Sequence, residues 1–170
     1  MTRFQGKRVF VSGAASGIGQ AAAKRLASEG AQCFCTDINE AMLQATVDDI
    51  TANGGSAIAH VMDISDETSV NDAVARCQSD LGGMDVLVNM AGVLKMTHFD
   101  QMEFSDWQRL VNINLSGTFL LCKASLPLLV ESKGNIVNAA STSALQGLPW
   151  GGAYGATKGG VLAMTRGIAV

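Results

Sequence analysis

RVFVSGAASGIG, residues 8–19, decides the fold. Its first five residues, Arg8–Ser12, make a short apolar run of strand type. Gly13, Gly17 and Gly19 follow in the spacing G-x-x-x-G-x-G, and then Ile18, Ala22 and Leu26 recur at helical intervals as far as the stop at Gly30. A strand that passes through glycines directly into a helix is a βα unit. The glycines permit a sharp turn and let the backbone approach a ligand, while the helix starting at Gly17 offers free N–H groups and its dipole to an anion. This spacing is not the G-x-G-x-x-G fingerprint, and no Gly-Lys-Ser/Thr follows to make a P-loop. Small residues at such a turn also serve close packing.

The same alternation repeats along the chain. Strands are predicted at Gln32–Asp37, Ala57–Asp63, Asp85–Asn89 and Asn135–Ser141. Helices are predicted over Asn39–Ala52, from Ser65-Asp66-Glu67-Thr68 to Leu81, over roughly Glu103 to Val130, and from near Gly152. The strands are nearly continuous apolar runs, which marks strands covered on both faces and hence a parallel sheet. The expected fold is therefore α/β, a doubly wound, Rossmann-like parallel sheet with five strands in the order 3-2-1-4-5. No repeat, linker or low-complexity segment interrupts it, so residues 1–170 are expected to form one domain. In such sheets ligands sit at the carboxyl ends of the strands.

Composition excludes several classes. Of 170 residues, 48% are hydrophobic and 16% charged, the opposite of a disordered chain. The net charge is −3 with no basic run, which argues against nucleic acid as the partner. The N-terminal MTRFQGKRVF lacks an apolar signal region, and Thr118–Val130 carries Lys123 and Pro127 and is too short to span a bilayer. No membrane partner is expected, and the cytoplasm is the default location. Cys33, Cys35, Cys77 and Cys122 form no C-x-x-C pair and no metal-ligand spacing with His60 or His98, so no metal site is expected. They read as reduced core thiols, with Cys33 and Cys35 on one face of a strand.

The residues just after each apolar run carry the chemistry. Asp37 ends the second strand eighteen positions after Gly19, where a carboxylate can accept hydrogen bonds from an adenosine ribose. It would repel a 2′-phosphate, and no cation stands beside it, because residue 16 is Ser and residue 38 is Ile. NAD rather than NADP is the expected cofactor. A turn or capping role for Asp37 is the alternative. Asp63 can contact the adenine or cap the next helix. Tyr154 and Lys158 stand four apart at a helix start and so share a face. A phenol titrates near pH 10, and a neighbouring ammonium stabilises its phenolate, so the pair suits general acid/base work on an alcohol or carbonyl. Ser141, thirteen residues earlier, places a hydroxyl at a strand end beside it; a loop or cap role is the alternative, and Ser143 is close by.

Together these residues resemble the short-chain dehydrogenase/reductase family. The resemblance covers the whole chain: the glycine turn at Gly13, Gly17 and Gly19, the segment Asn89-Met90-Ala91-Gly92, Asn114 in Asn-Leu-Ser-Gly, Ser141, and Tyr154-x-x-x-Lys158, all in the family's order. It implies that Tyr154 is the catalytic acid/base and that Ser141 orients and polarises the substrate. It further implies that Lys158 lowers the tyrosine pKa and binds the nicotinamide ribose, and that Asn114 holds a water in a proton relay. The implied cofactor set is Gly13, Ser16, Gly17, Ile18, Gly19, Asp37, Asp63, Ile64, Asn89, Ala91 and Gly92, with Tyr154 and Lys158. Asn89 would support the sheet near the cofactor. Ser12 stands where the family often has Thr, and Met90 where it often has Asn.

The resulting expectation is an NAD(H)-dependent oxidoreductase that interconverts a secondary alcohol and a ketone, acting on a small-molecule substrate as a homodimer or homotetramer. Two alternatives stand: a 3-oxoacyl-carrier reductase, and a non-catalytic dinucleotide-binding sensor or inactive fragment. The five strands fall short of the six of a full dinucleotide fold, so the chain is expected to lack C-terminal strands and to be poorly active alone. His98, Trp107 and Trp150 are candidates for the mouth of the site, or for ordinary packing.

Overall fold

The structure, a computed structural model, describes residues 2–170. Five strands form one sheet: β1 (Arg8–Ser12), β2 (Gln32–Asp37), β3 (Ser56–Val61), β4 (Val86–Asn89) and β5 (Asn135–Asn138). All pairings are parallel and the spatial order is β3-β2-β1-β4-β5, as the sequence predicts. The helices are α1 (Gly17–Ser28), α2 (Glu40–Ala52), α3 (Glu67–Leu81), α4 (Phe104–Leu110), α5 (Gly117–Ser132) and α6 (Gly152–Ile168).

Alternation along the strands divides the core in two. Val9, Val11, Cys33, Cys35 and Val88 pack with Ala23 and Ala27 of α1 and Leu43, Val47 and Ile50 of α2. Phe10, Phe34 and Leu87 point the other way, onto Val70, Val74 and Cys77 of α3 and Leu121 and Leu129 of α5. Both faces are thus covered, which is why the strands read as continuous apolar runs. The four thiols are free and buried, and Cys33 and Cys35 share a face as expected. Burial pushes the Cys33 and Cys77 thiols up to about 12 and raises those of Cys35 and Cys122.

The strand ends need correction, and pairing explains each one. The third strand stops at Val61 rather than Asp63, because its partner β2 ends at Asp37, opposite Val61. The fifth stops at Asn138 rather than Ser141, because β4 ends at Asn89 opposite it. Asp63 is not the helix cap either. Asp66 caps α3 by accepting from Thr68 N at 2.9 Å, as Asn39 caps α2 by accepting from Met42 N at 3.1 Å.

The stretch predicted as one helix from Glu103 to Val130 is continuous from Phe104 to Ser132, but not uniform. Residues Val111–Ser116 form a π-helical segment, in which Gly117 N donates to Asn112 O five residues back. The whole stretch is 29 residues long with a mean hydropathy of 1.5, so by length and composition it is long enough to cross a bilayer, unlike Thr118–Val130 alone. Its residues Leu110, Leu121 and Leu129 are buried in the protein core.

Candidate active site

A groove of about 910 Å³ runs along the carboxyl ends of β1, β2, β3 and β4. That size suits a ligand of nucleotide dimensions or larger. Gly13, Ser16, Gly17, Ile18 and Gly19 line it from the β1–α1 turn, Asp37 from the end of β2, Asp63 and Ile64 from the segment after β3, and Ala91 and Gly92 from the segment after β4. All of these are residues that the sequence marks for a dinucleotide. Ile18 is 78% exposed, which an apolar residue tolerates where a ligand covers it.

The glycine turn has steric reasons to be glycine. Gly13 has φ +69°, and a Cβ there would lie 2.7 Å from Ala91 N. At Gly19 a Cβ would lie 2.1 Å from Gly13 O, so a side chain would break the turn. Ser12 holds the opposite loop in place, its hydroxyl accepting from Met90 N (3.2 Å) and Ala91 N (3.3 Å). Ser12 thereby ties the β1 turn to the segment after β4. Ser16 precedes α1 but its side chain makes no capping hydrogen bond, and no acid occupies the first turn. The first N–H groups of α1 are therefore left for another acceptor. Glycine crowding, free helix N–H groups and a groove of this size all fit a dinucleotide pyrophosphate.

The two groove carboxylates are anchored. Asp37 accepts from Ala15 N (3.1 Å) and from Asn39 N (3.0 Å), joining the glycine turn to the start of α2. Asp63 accepts from Ser65 N and Ser65 Oγ, at 2.9 and 2.7 Å. Asp37 therefore serves as a turn brace while still facing the groove beside Ile38.

Beyond Gly92 the four residues of the expected catalytic set come from three elements. Asn114, in the π-helical segment, is fully buried and gives both ends of its amide to Val93: it accepts from Val93 N at 2.8 Å and donates to Val93 O at 2.9 Å. It also donates to Thr157 Oγ1 on α6 at 3.2 Å. Lys158, buried on α6, donates from Nζ to Ala139 O at 2.7 Å, and burial holds its pKa below the usual lysine value. The same ammonium lies 5.8 Å from the centre of the Tyr154 ring, so the spacing of four does place the two on one helix face. Ser141 sits just past β5 and accepts from Ser143 N at 3.2 Å. Ser143 approaches α6 in turn, since a Cβ on Gly155 would meet Ser143 O at 3.1 Å.

Asn89 lies beneath the groove rather than in it. It is buried and donates to Asn138 Oδ1 (2.7 Å) and Cys122 Sγ (3.3 Å), while Asn138 donates to Thr165 on α6 (3.0 Å). These hydrogen bonds link β4, β5, α5 and α6. Four polar groove residues on α4 and the π-helical segment lie outside the motifs marked in the sequence: Ser105, Gln108, Arg109 and Asn112. Their three- and four-residue spacing was the available signal, one polar face on an otherwise apolar helix.

Residues 7–170 match the family model described as short chain dehydrogenase. The chain belongs to this family. Short chain dehydrogenases bind nicotinamide dinucleotides and interconvert alcohols and carbonyls. The chain is 36% identical over 169 residues to 2,5-dichloro-2,5-cyclohexadiene-1,4-diol dehydrogenase of Sphingobium indicum, covering 99% of this chain and 68% of that one. It is 37% identical to meso-2,3-butanediol dehydrogenase of Serratia marcescens, covering 99% of this chain and 66% of that one. Among solved structures, a short chain dehydrogenase from Burkholderia cenocepacia J2315 in complex with NADP superposes with a TM-score of 0.93 at 37% identity, over 98% of this chain and 69% of that one. The chain thus spans about two thirds of the length of these relatives.

Proposed function

We propose that this short chain dehydrogenase is an NAD(H)-dependent oxidoreductase interconverting a secondary alcohol and a ketone, with Tyr154 as general acid/base. One observation carries the reading: the buried Lys158 ammonium, fixed by Ala139 O, lies 5.8 Å from the Tyr154 ring on the same helix face. A positive charge held there favours the phenolate over the phenol, so Tyr154 can take a proton from an alcohol or return one to an alkoxide. Ser141 would place its hydroxyl against the same oxygen. A bound nicotinamide supplies the hydride acceptor or donor. Asn114 positions the segment after β4 and, through Thr157, the helix that bears Tyr154 and Lys158.

Asp37 supports NAD over NADP, because it faces the groove where an adenosine ribose would lie and no Lys or Arg neighbours it in sequence. The names of several relatives are diol dehydrogenases, which makes meso-2,3-butanediol and D-threitol the first substrates to assay. Phe119, Leu126 and Val130 stay exposed on α5, which supports a homo-oligomer packed through that helix. The decisive experiment is Tyr154→Phe. Turnover should fall by at least about 10²-fold, as expected for loss of a general acid/base, while NADH binding measured by fluorescence stays near wild type. Retained turnover in that variant would reject the role of Tyr154.

A further inference from the structure

The elements that line the groove differ in charge. The glycine turn and the first turn of α1 contribute N–H groups but no side-chain cation. From α4 and the π-helical segment, Ser105, Gln108, Arg109 and Asn112 line the same groove. Arg109 is the only Lys or Arg among the described groove residues, and the two acids there, Asp37 and Asp63, are engaged by backbone and hydroxyl donors. Among the described residues no carboxylate pairs with Arg109. The nearest acid along the helix, Asp106, is taken by Lys95 at 3.3 Å.

We propose that Arg109 is a phosphate-binding residue of the dinucleotide site, its guanidinium reaching the pyrophosphate from α4 while the α1 N-terminus holds it from the glycine turn. This rests on the dinucleotide reading of the groove. A pyrophosphate brings two negative charges into a groove that already holds two carboxylates. A helix N-terminus offsets only about half a charge. A guanidinium with no competing carboxylate adds a full positive charge and can bind phosphate oxygens in pairs. The Lys95–Asp106 pair adds to this, since it removes the one acid that would otherwise compete for Arg109 from the preceding turn.

The test compares ligand binding to the wild-type chain and to Arg109→Met, which keeps the apolar stem, by calorimetric or fluorescence titration. The probes are NADH, NADPH, ADP-ribose and adenosine. Expected are losses of about tenfold for NADH and ADP-ribose, with adenosine unaffected, and partial recovery in Arg109→Lys. Equal melting temperatures would show that the fold is intact. Unchanged ADP-ribose affinity overturns the proposal and would leave Arg109 to a substrate anion. A loss confined to NADPH also overturns it, assigning Arg109 to a 2′-phosphate. If the wild-type chain binds none of the dinucleotides, the reading of the groove fails first and takes this inference with it.

Discussion

Asn114 clamps Val93 through both ends of one amide, accepting from Val93 N at 2.8 Å and donating to Val93 O at 2.9 Å. This ties the segment after β4 to the interior of the long helix. Asn114→Ala removes the clamp and leaves two backbone groups without partners, at a cost of about 2–4 kcal/mol. Asn114→Asp keeps the acceptor for Val93 N but sets a second oxygen against Val93 O and places a carboxyl group at a fully buried position. Both variants should unfold at lower urea than wild type. Equal midpoints for wild type and Asn114→Ala would show that the clamp carries no stability.

How this residue looks in sequence and in space shows where sequence reading stops. The βα turn at Gly13–Gly19 and the pair Tyr154 and Lys158 are legible because each depends on short-range geometry: a turn that excludes Cβ atoms, and a helix period. The order of the sheet follows from handedness and the switch of strand order. The π-helical segment is not legible, because nothing in Val-Asn-Ile-Asn-Leu-Ser separates a bond five residues back from one four back. Nor are the strand ends at Val61 and Asn138, which are set by where the partner strands stop. Arg109 is not legible either, because an arginine on a helix reads as a solvated charge until the groove it lines is known.

Asp37 bridges Ala15 N and Asn39 N, so its replacement tests two roles at once. Asp37→Asn keeps an acceptor and removes the charge. The ratio of kcat/KM for NAD to that for NADP should fall about tenfold, corresponding to about 1.4 kcal/mol of lost discrimination. Asp37→Ala should match that shift and also lower thermal stability, because the turn brace is gone. An unchanged cofactor ratio in both variants would place the discrimination elsewhere.

Glu29 anchors the N-terminal segment to the end of α1. Its carboxylate accepts from Arg3 and Arg25, and the Arg3 hydrogen bonds, followed by those of Arg25, lower its pKa to about 2. A carboxylate depressed in the folded state contributes stability above its ordinary value near 4.5, and that stability disappears as pH falls toward 2. Wild type should therefore lose stability relative to Glu29→Gln between about pH 4.5 and 2, and the difference between them should be constant above that interval. Both arginines are largely exposed, so salt should shrink the difference. Parallel urea titrations at pH 7, 4 and 2.5 read it directly. A difference that does not vary with pH would rule out an ionic origin.

Trp150 holds a backbone conformation that side chains disfavour, at φ +60°. Two contacts compensate: Thr97 N donates to Trp150 O at 3.0 Å, and the indole packs on His98 with ring centres 5.8 Å apart. Together they join the segment after β4 to the loop that enters α6, four residues before Tyr154. Trp150→Ala loses the ring contact but keeps the strain, whereas Trp150→Gly loses the contact and relieves the strain. Glycine should therefore be the more stable of the two by about 1 kcal/mol, less the extra chain entropy glycine gains on unfolding. His98→Ala should cost about 0.5–1.5 kcal/mol in wild type and nothing further in Trp150→Ala. Because the backbone hydrogen bond to Thr97 survives in all three variants, KM is expected to respond more than kcat. A kcat loss comparable to that of Tyr154→Phe would mean instead that the indole helps to set the position of Tyr154 itself.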